Sequence, residues 1–161
     1  MMPQHNDFYS AAAALGSIAQ LDIDAMKLLF RVEHSGEDFY NGLADRIGNA
    51  EAAALLRRNA REERAHAERV RRAIGVKLGH PWQPLAAELE RYPVALPEAI
   101  SGALLPVIVK AELDGAAGYE RWAESETDAE VQRLLRQNGR EETEHGRRVT
   151  AAIEILAKAG G

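Results

Sequence analysis

Apolar positions recur at three- and four-residue spacing in four segments of the chain, the signature of helices with one buried face. The first seam runs Met26, Leu29, Glu33, Gly36, Tyr40, Leu43, Ile47, and the second Ala52, Leu56, Asn59, Glu63, His66, Val70, Ala73. The third runs Leu105, Ile108, Glu112, Gly115, Tyr119, Trp122, and the fourth Val131, Leu135, Asn138, Glu142, His145, Val149, Ala152. The spacing predicts a helix from Asp22 or Asp24, both suitable N-caps, to about Ile47, and a second from about Ala50 to Ile74. A third is expected from about Glu98 to Ser125, with Pro97 at its first turn and Pro106 implying a kink or a later start. A fourth is expected from about Ala129 to Lys158.

Gly48-Asn49 and Thr127-Asp128 are too short to be anything but turns, so each flanking pair of helices should be antiparallel. The segment between the hairpins, Gly75 to Leu96, holds Gly79, Pro81, Pro84 and Pro93, with a short helical stretch expected near Leu85 to Arg91. It is long enough to cross the whole bundle. An all-α bundle of two hairpins joined by one long crossover has the ferritin-like arrangement. We expect a single domain over residues 1–161, with hairpins at about 22–74 and 98–158 around a crossover at 75–97. Residues 1–20 are apolar enough to pack, but their pattern does not say where.

The two halves repeat each other. Laying His145 on His66 aligns Leu134-Leu135-Arg136-Gln137-Asn138-Gly139-Arg140-Glu141-Glu142 with Leu55-Leu56-Arg57-Arg58-Asn59-Ala60-Arg61-Glu62-Glu63. Glu112, Gly115 and Tyr119 then fall on Glu33, Gly36 and Tyr40. This is the pattern of a duplicated hairpin, with a period too long for a solenoid.

The seams carry charge where a core should carry none. Each has a Glu near its middle, and two add a His three residues on, on the same helix face. Glu33 lies as far before Gly48 as Glu63 lies after it, and Glu112 and Glu142 bracket Thr127 in the same way. In antiparallel hairpins such residues end up level, which gathers Glu33, Glu63, His66, Glu112, Glu142 and His145 in one layer. Burying a charge costs several kcal/mol even after relaxation. Two divalent cations would cancel four carboxylates, and this donor set suits iron or manganese, with zinc also able to bind. A lone Glu-x-x-His on a charged helix is usually a solvated face, but two at equal register with partner Glu on both other helices are not.

Around this layer, Tyr40 and Tyr119 are candidates for hydrogen bonds to the ligand carboxylates, weighed against simple core packing. Asn59 and Asn138, one turn before the Glu of the motif, support either the site or the helix contact. Gly36 and Gly115 leave room on the ligand face or allow close helix packing. Glu62, Glu141 and Glu144 point off the seam and read as solvated, and His5, His34 and His80 as surface or loop residues.

Composition narrows the chemistry further. The net charge of −5 argues against nucleic acid as a partner. The absence of cysteine excludes disulfides, thiolate zinc or iron–sulfur sites and a thiol nucleophile. No apolar run approaches the roughly 18 residues of a membrane span, and the first ten residues do not read as a signal peptide. A soluble, cytoplasmic protein is expected.

The residues Glu33…Tyr40…Glu63-Arg64-Ala65-His66 and Glu112…Tyr119…Glu142-Thr143-Glu144-His145 resemble the rubrerythrin branch of the ferritin-like superfamily, over about Asp22 to Lys158. The resemblance implies a di-iron site in which Glu63 and Glu142 bridge, Glu33 and Glu112 are terminal ligands, and His66 and His145 each cap one metal. It further implies an oxidoreductase that reacts with peroxide or O2, a separate electron donor, and a homodimer or larger assembly. Ferrous iron oxidation and handling is the alternative activity, and a helical module with structural or no metal is the non-enzymatic one. Two features depart from the family: there is no cysteine for a rubredoxin iron site, and Val109 stands where a further Glu is usual one turn before Glu112.

Overall fold

The computed structural model describes residues 4–160. Among them are six helices and no strand: α1 (Phe8–Gly16), α2 (Ile23–Arg46), α3 (Ala50–Leu78), α4 (Ala86–Leu89), α5 (Leu104–Ser125) and α6 (Ala129–Ala159). The fold is a ferritin-like helical bundle. None of the described helices is long and apolar enough to cross a membrane.

Local chemistry sets the helix ends. Asp22, Asn49 and Asp128 cap α2, α3 and α6, each side chain accepting from backbone N–H groups of the first turn. Gly48 adopts φ +70° in the first turn, and Gly79 at φ +78° ends α3. Helix α3 runs one turn beyond the predicted Ile74, because nothing breaks it before Gly79. Helix α5 starts at Leu104, later than Glu98. This puts Pro106 in its first turn, where a backbone N–H would have had no helical partner.

Helices α2 and α3 form one antiparallel hairpin, α5 and α6 the other, and the two meet through α3 against α6. The crossover is tied along α2. Arg91 pairs with Glu37 and Asp38, Tyr92 N–H donates to Ser35 Oγ, and Trp82 packs edge-on against Phe30. Helix α1, which the pattern did not place, lies against α2 and touches α5. Its first residue donates to the Pro93 carbonyl.

The apolar core comes in two parts. One gathers Met26, Leu29, Ile74, Trp122 and Leu135, and the other Leu43, Leu56, Leu105, Ile108 and Val149. Between them lies a layer of buried polar side chains: Glu33, Asn59, Glu63, His66, Glu112, Asn138, Glu142 and His145.

Candidate metal centre

Each of the four long helices contributes one carboxylate to this layer, and α3 and α6 add the imidazoles. One donor atom from each of Glu63, His66, Glu142 and His145 lies within 4.8 Å of all the others. Glu33 and Glu112 flank this group. His66 Nδ1 faces Glu142 Oε1 at 3.1 Å, Glu33 Oε2 at 3.5 Å and Glu63 Oε2 at 3.8 Å. His145 Nδ1 faces Glu63 Oε1 at 3.2 Å and Glu112 Oε2 at 3.7 Å. Glu63 thus turns one oxygen to each histidine, so the donors divide into two groups that share it.

Both glycines on the ligand face stand against these carboxylates. A Cβ on Gly36 would come within 2.8 Å of Glu63 Oε2, and one on Gly115 within 2.9 Å of Glu142 Oε2. They are small because a carboxylate occupies the space a side chain would fill.

The tyrosines cross between hairpins. Tyr40 donates its hydroxyl to Glu112 Oε1, and Tyr119 donates to Glu33 Oε1. Both phenols are pushed well above their ordinary pKa by burial and by the facing carboxylates, so they stay protonated and donate to those carboxylates. Asn59 and Asn138 also cross: Asn59 donates to the His145 carbonyl and Asn138 to the His66 carbonyl, each at 3.2 Å. Asn138 donates a second bond, to the Tyr119 hydroxyl.

Glu62 and Glu141 correct the reading of them as solvated. Glu62 Oε2 accepts from His145 Nε2 at 3.1 Å, and Glu141 Oε2 lies 3.3 Å from His66 Nε2. Arg148 and Arg69 clamp these two carboxylates and also bond to Asn59 and Asn138. A carboxylate facing Nε2 favours the N–H at that atom, so that in the neutral ring the Nδ1 lone pair points to the interior. The signal was present in the sequence as Glu-Glu-x-x-His-x-x-Arg in both halves, but its meaning depends on the neighbouring hairpin. Glu144 remains at the surface, paired with Arg147. His34 is half-buried rather than a plain surface residue, stacked on Phe30 and against Arg91.

Charge is unevenly held. Burial would raise the Glu33 carboxyl, but His66 and Glu63 outweigh it and bring it down to about 2. Glu112 is lowered in the same way, against burial, by Glu142 and His145. Burial and the neighbouring Glu33 push Glu63 well above the carboxylate range, and burial with Glu112 does the same to Glu142. Burial disfavours the charged form of His66, yet Glu141 and Glu33 raise it to about 10. Without a cation, the layer is kept tolerable by protons.

The residues fit a pair of divalent cations on grounds independent of that. His66 Nδ1 and His145 Nδ1 are buried with no hydrogen-bond partner among the described residues. The glycine cradles hold Glu63 and Glu142 turned into the same space. Four carboxylates and two imidazoles form an oxygen-rich set with matching charge.

No curated protein and no solved structure matches the chain. The family model for rubrerythrin matches residues 24–153, which span both hairpins and every residue of the layer, and the chain therefore belongs to the rubrerythrin family.

Proposed function

We propose that Glu33, Glu63, His66, Glu112, Glu142 and His145 hold two iron ions, and that the protein uses them to reduce peroxide or O2 with electrons from an outside donor. The observation that carries this reading is the sharing of Glu63 between two histidines whose Nδ1 atoms have no other use. When bound, two irons would supply a pair of one-electron couples and Lewis acidity toward both oxygens of an oxidant.

The chain's own residues do the rest. Glu63 and Glu142 stand between the histidines and, deprotonated, would be the carboxylates that hold the two cations. Glu33 and Glu112 lie at the edges, each fixed by a tyrosine hydroxyl from the opposite hairpin. Tyr40 and Tyr119 orient those carboxylates and keep a proton beside the reacting oxygens without releasing it at neutral pH. Apolar core flanks the layer on two sides.

The test is metal content per chain after anaerobic loading with Fe²⁺, followed by peroxide consumption with a reductant present. About two irons per chain and turnover, both lost in Glu63→Ala, are the expected results. Stoichiometric iron without turnover of peroxide or O2 would refute the activity and leave the metal site standing.

A further inference from the structure

Helices α2 and α5 do not close on one another: no Cα of one comes within 8 Å of a Cα of the other. In the gap lies a cavity of about 710 Å³. Its floor is the four carboxyls of Glu33, Glu63, Glu112 and Glu142, without the histidines. Its walls are mostly apolar or small, with Leu29 and Val32 on α2 and Ala111 and Ile108 on α5, and the exposed Asp114 and Arg121 also line it. Helix α1 lies across the gap and roofs it with Phe8 and Ala12, while Leu96 and Pro97 of the crossover close one side. Trp122 stands in the wall, its ring centroid 5.3 Å from that of Tyr119.

A site for peroxide or O2 alone needs only a few atoms of space. This cavity is in the range of pockets that hold whole organic molecules, mostly apolar with a few convergent polar groups at one end. Space of this kind is poorly suited to water, which needs several polar partners, and it favours an apolar occupant. Helix α1 covers part of the gap, and Val107 and Ala111 on the α5 side stay exposed, so what remains is a partly roofed cavity leading from the surface to the carboxylates.

We propose that this chamber binds an apolar organic molecule with one end on the carboxylate floor, and that this molecule is the electron donor for peroxide. The reaction balances as RH + H2O2 → ROH + H2O. A C–H bond and the O–O bond break, a C–O bond forms, carbon is oxidised by two electrons, and the second oxygen leaves as water. The oxidation rests on the two-metal reading of the preceding section; the binding does not.

The chain has two tryptophans, and Trp82 lies away from the chamber, against Phe30 and Lys27. In Trp82→Phe, fluorescence therefore reports on Trp122 alone. A brominated long-chain alcohol, which quenches tryptophan on contact, should quench it saturably both before and after metal loading. Ala12→Phe and Ala111→Phe, each added to that background, fill the chamber from its roof and its wall. They should weaken the alcohol's binding by about tenfold or more while iron content stays at the parent level. Quenching that never saturates, that is unchanged from the Trp82→Phe parent in both filled variants, or that vanishes as the protein dimerises onto the gap overturns the binding site. Saturable binding to iron-loaded protein with no hydroxylated or otherwise oxidised product after peroxide overturns the donor role. Failure to load iron would instead show in metal analysis, with quenching of the metal-free protein unaffected.

Discussion

The imidazole rings of His66 and His145 stack 5.0 Å apart, centre to centre, and 16° from parallel. They come from different hairpins, and each is held from behind by a carboxylate of the other: Glu141 behind His66, Glu62 behind His145. The contact between α3 and α6 therefore does more than bury apolar surface. It sets the direction in which each Nδ1 points.

Removing one of these supports should loosen the metal rather than unfold the bundle. Glu62→Ala and Glu141→Ala are expected to weaken metal binding by about 10- to 100-fold, the usual effect of losing the group behind a histidine ligand. A titration against a competing chelator measures it. Affinity equal to the parent's would show that packing alone orients the rings.

Gly115→Ala and Gly36→Ala should separate helix stability from site geometry. Alanine is the better helix former by about 1 kcal/mol. Here, however, its methyl would sit 2.9 Å or 2.8 Å from a carboxylate oxygen of Glu142 or Glu63, which must move. We expect reduced metal stoichiometry in both variants, read by elemental analysis alongside urea denaturation of the metal-free form. Full stoichiometry would mean that the carboxylates reach the metals from another rotamer.

Metal binding should release protons. Without metal, burial and the neighbouring carboxylates push Glu63 and Glu142 well above the carboxylate range and His66 is raised to about 10, so a cation competes with protons at these groups. Ligands must bind in their deprotonated forms, so affinity rises with pH and falls as the solution is acidified. Calorimetry in buffers of different ionisation enthalpy would count the protons. An apparent binding enthalpy independent of buffer would contradict this charge distribution.

Tyr40→Phe and Tyr119→Phe each leave a buried, ionised carboxylate, Glu112 or Glu33, short of a donor. A hydrogen bond to a charged group contributes about 1.5–3 kcal/mol, and the metal-free variants should lose stability on that order in urea denaturation. Since neither phenol is a ligand in this reading, iron content should hold. Loss of metal from either variant would make the hydroxyl part of the coordination and not its support.

The seam pattern made the four long helices legible, and the register around Gly48 and Thr127 put six ligand candidates in one layer. These are local facts, since helical periodicity and short turns are properties of neighbouring residues. Three things were left open. Glu62 and Glu141 look solvated on their own hairpins and become half-buried partners of the histidines only where α3 meets α6. Pro106 allowed either a kink or a late start, and α5 takes the late start, with Pro106 in its first turn. Residues 8–16 form a helix whose partners lie in α2, the crossover and α5.

The sequence by itself determined which side chains face the interior and at what height, because a helix's buried face and an antiparallel turn leave little choice in either. Only the tertiary structure decided which hairpin each group serves: Tyr40 to Glu112, Tyr119 to Glu33, Glu62 to His145. It also decided that α2 and α5 stand apart with α1 across the gap. Pairing between helices depends on the angle and distance at which whole faces pack, and no spacing within a single helix carries that information.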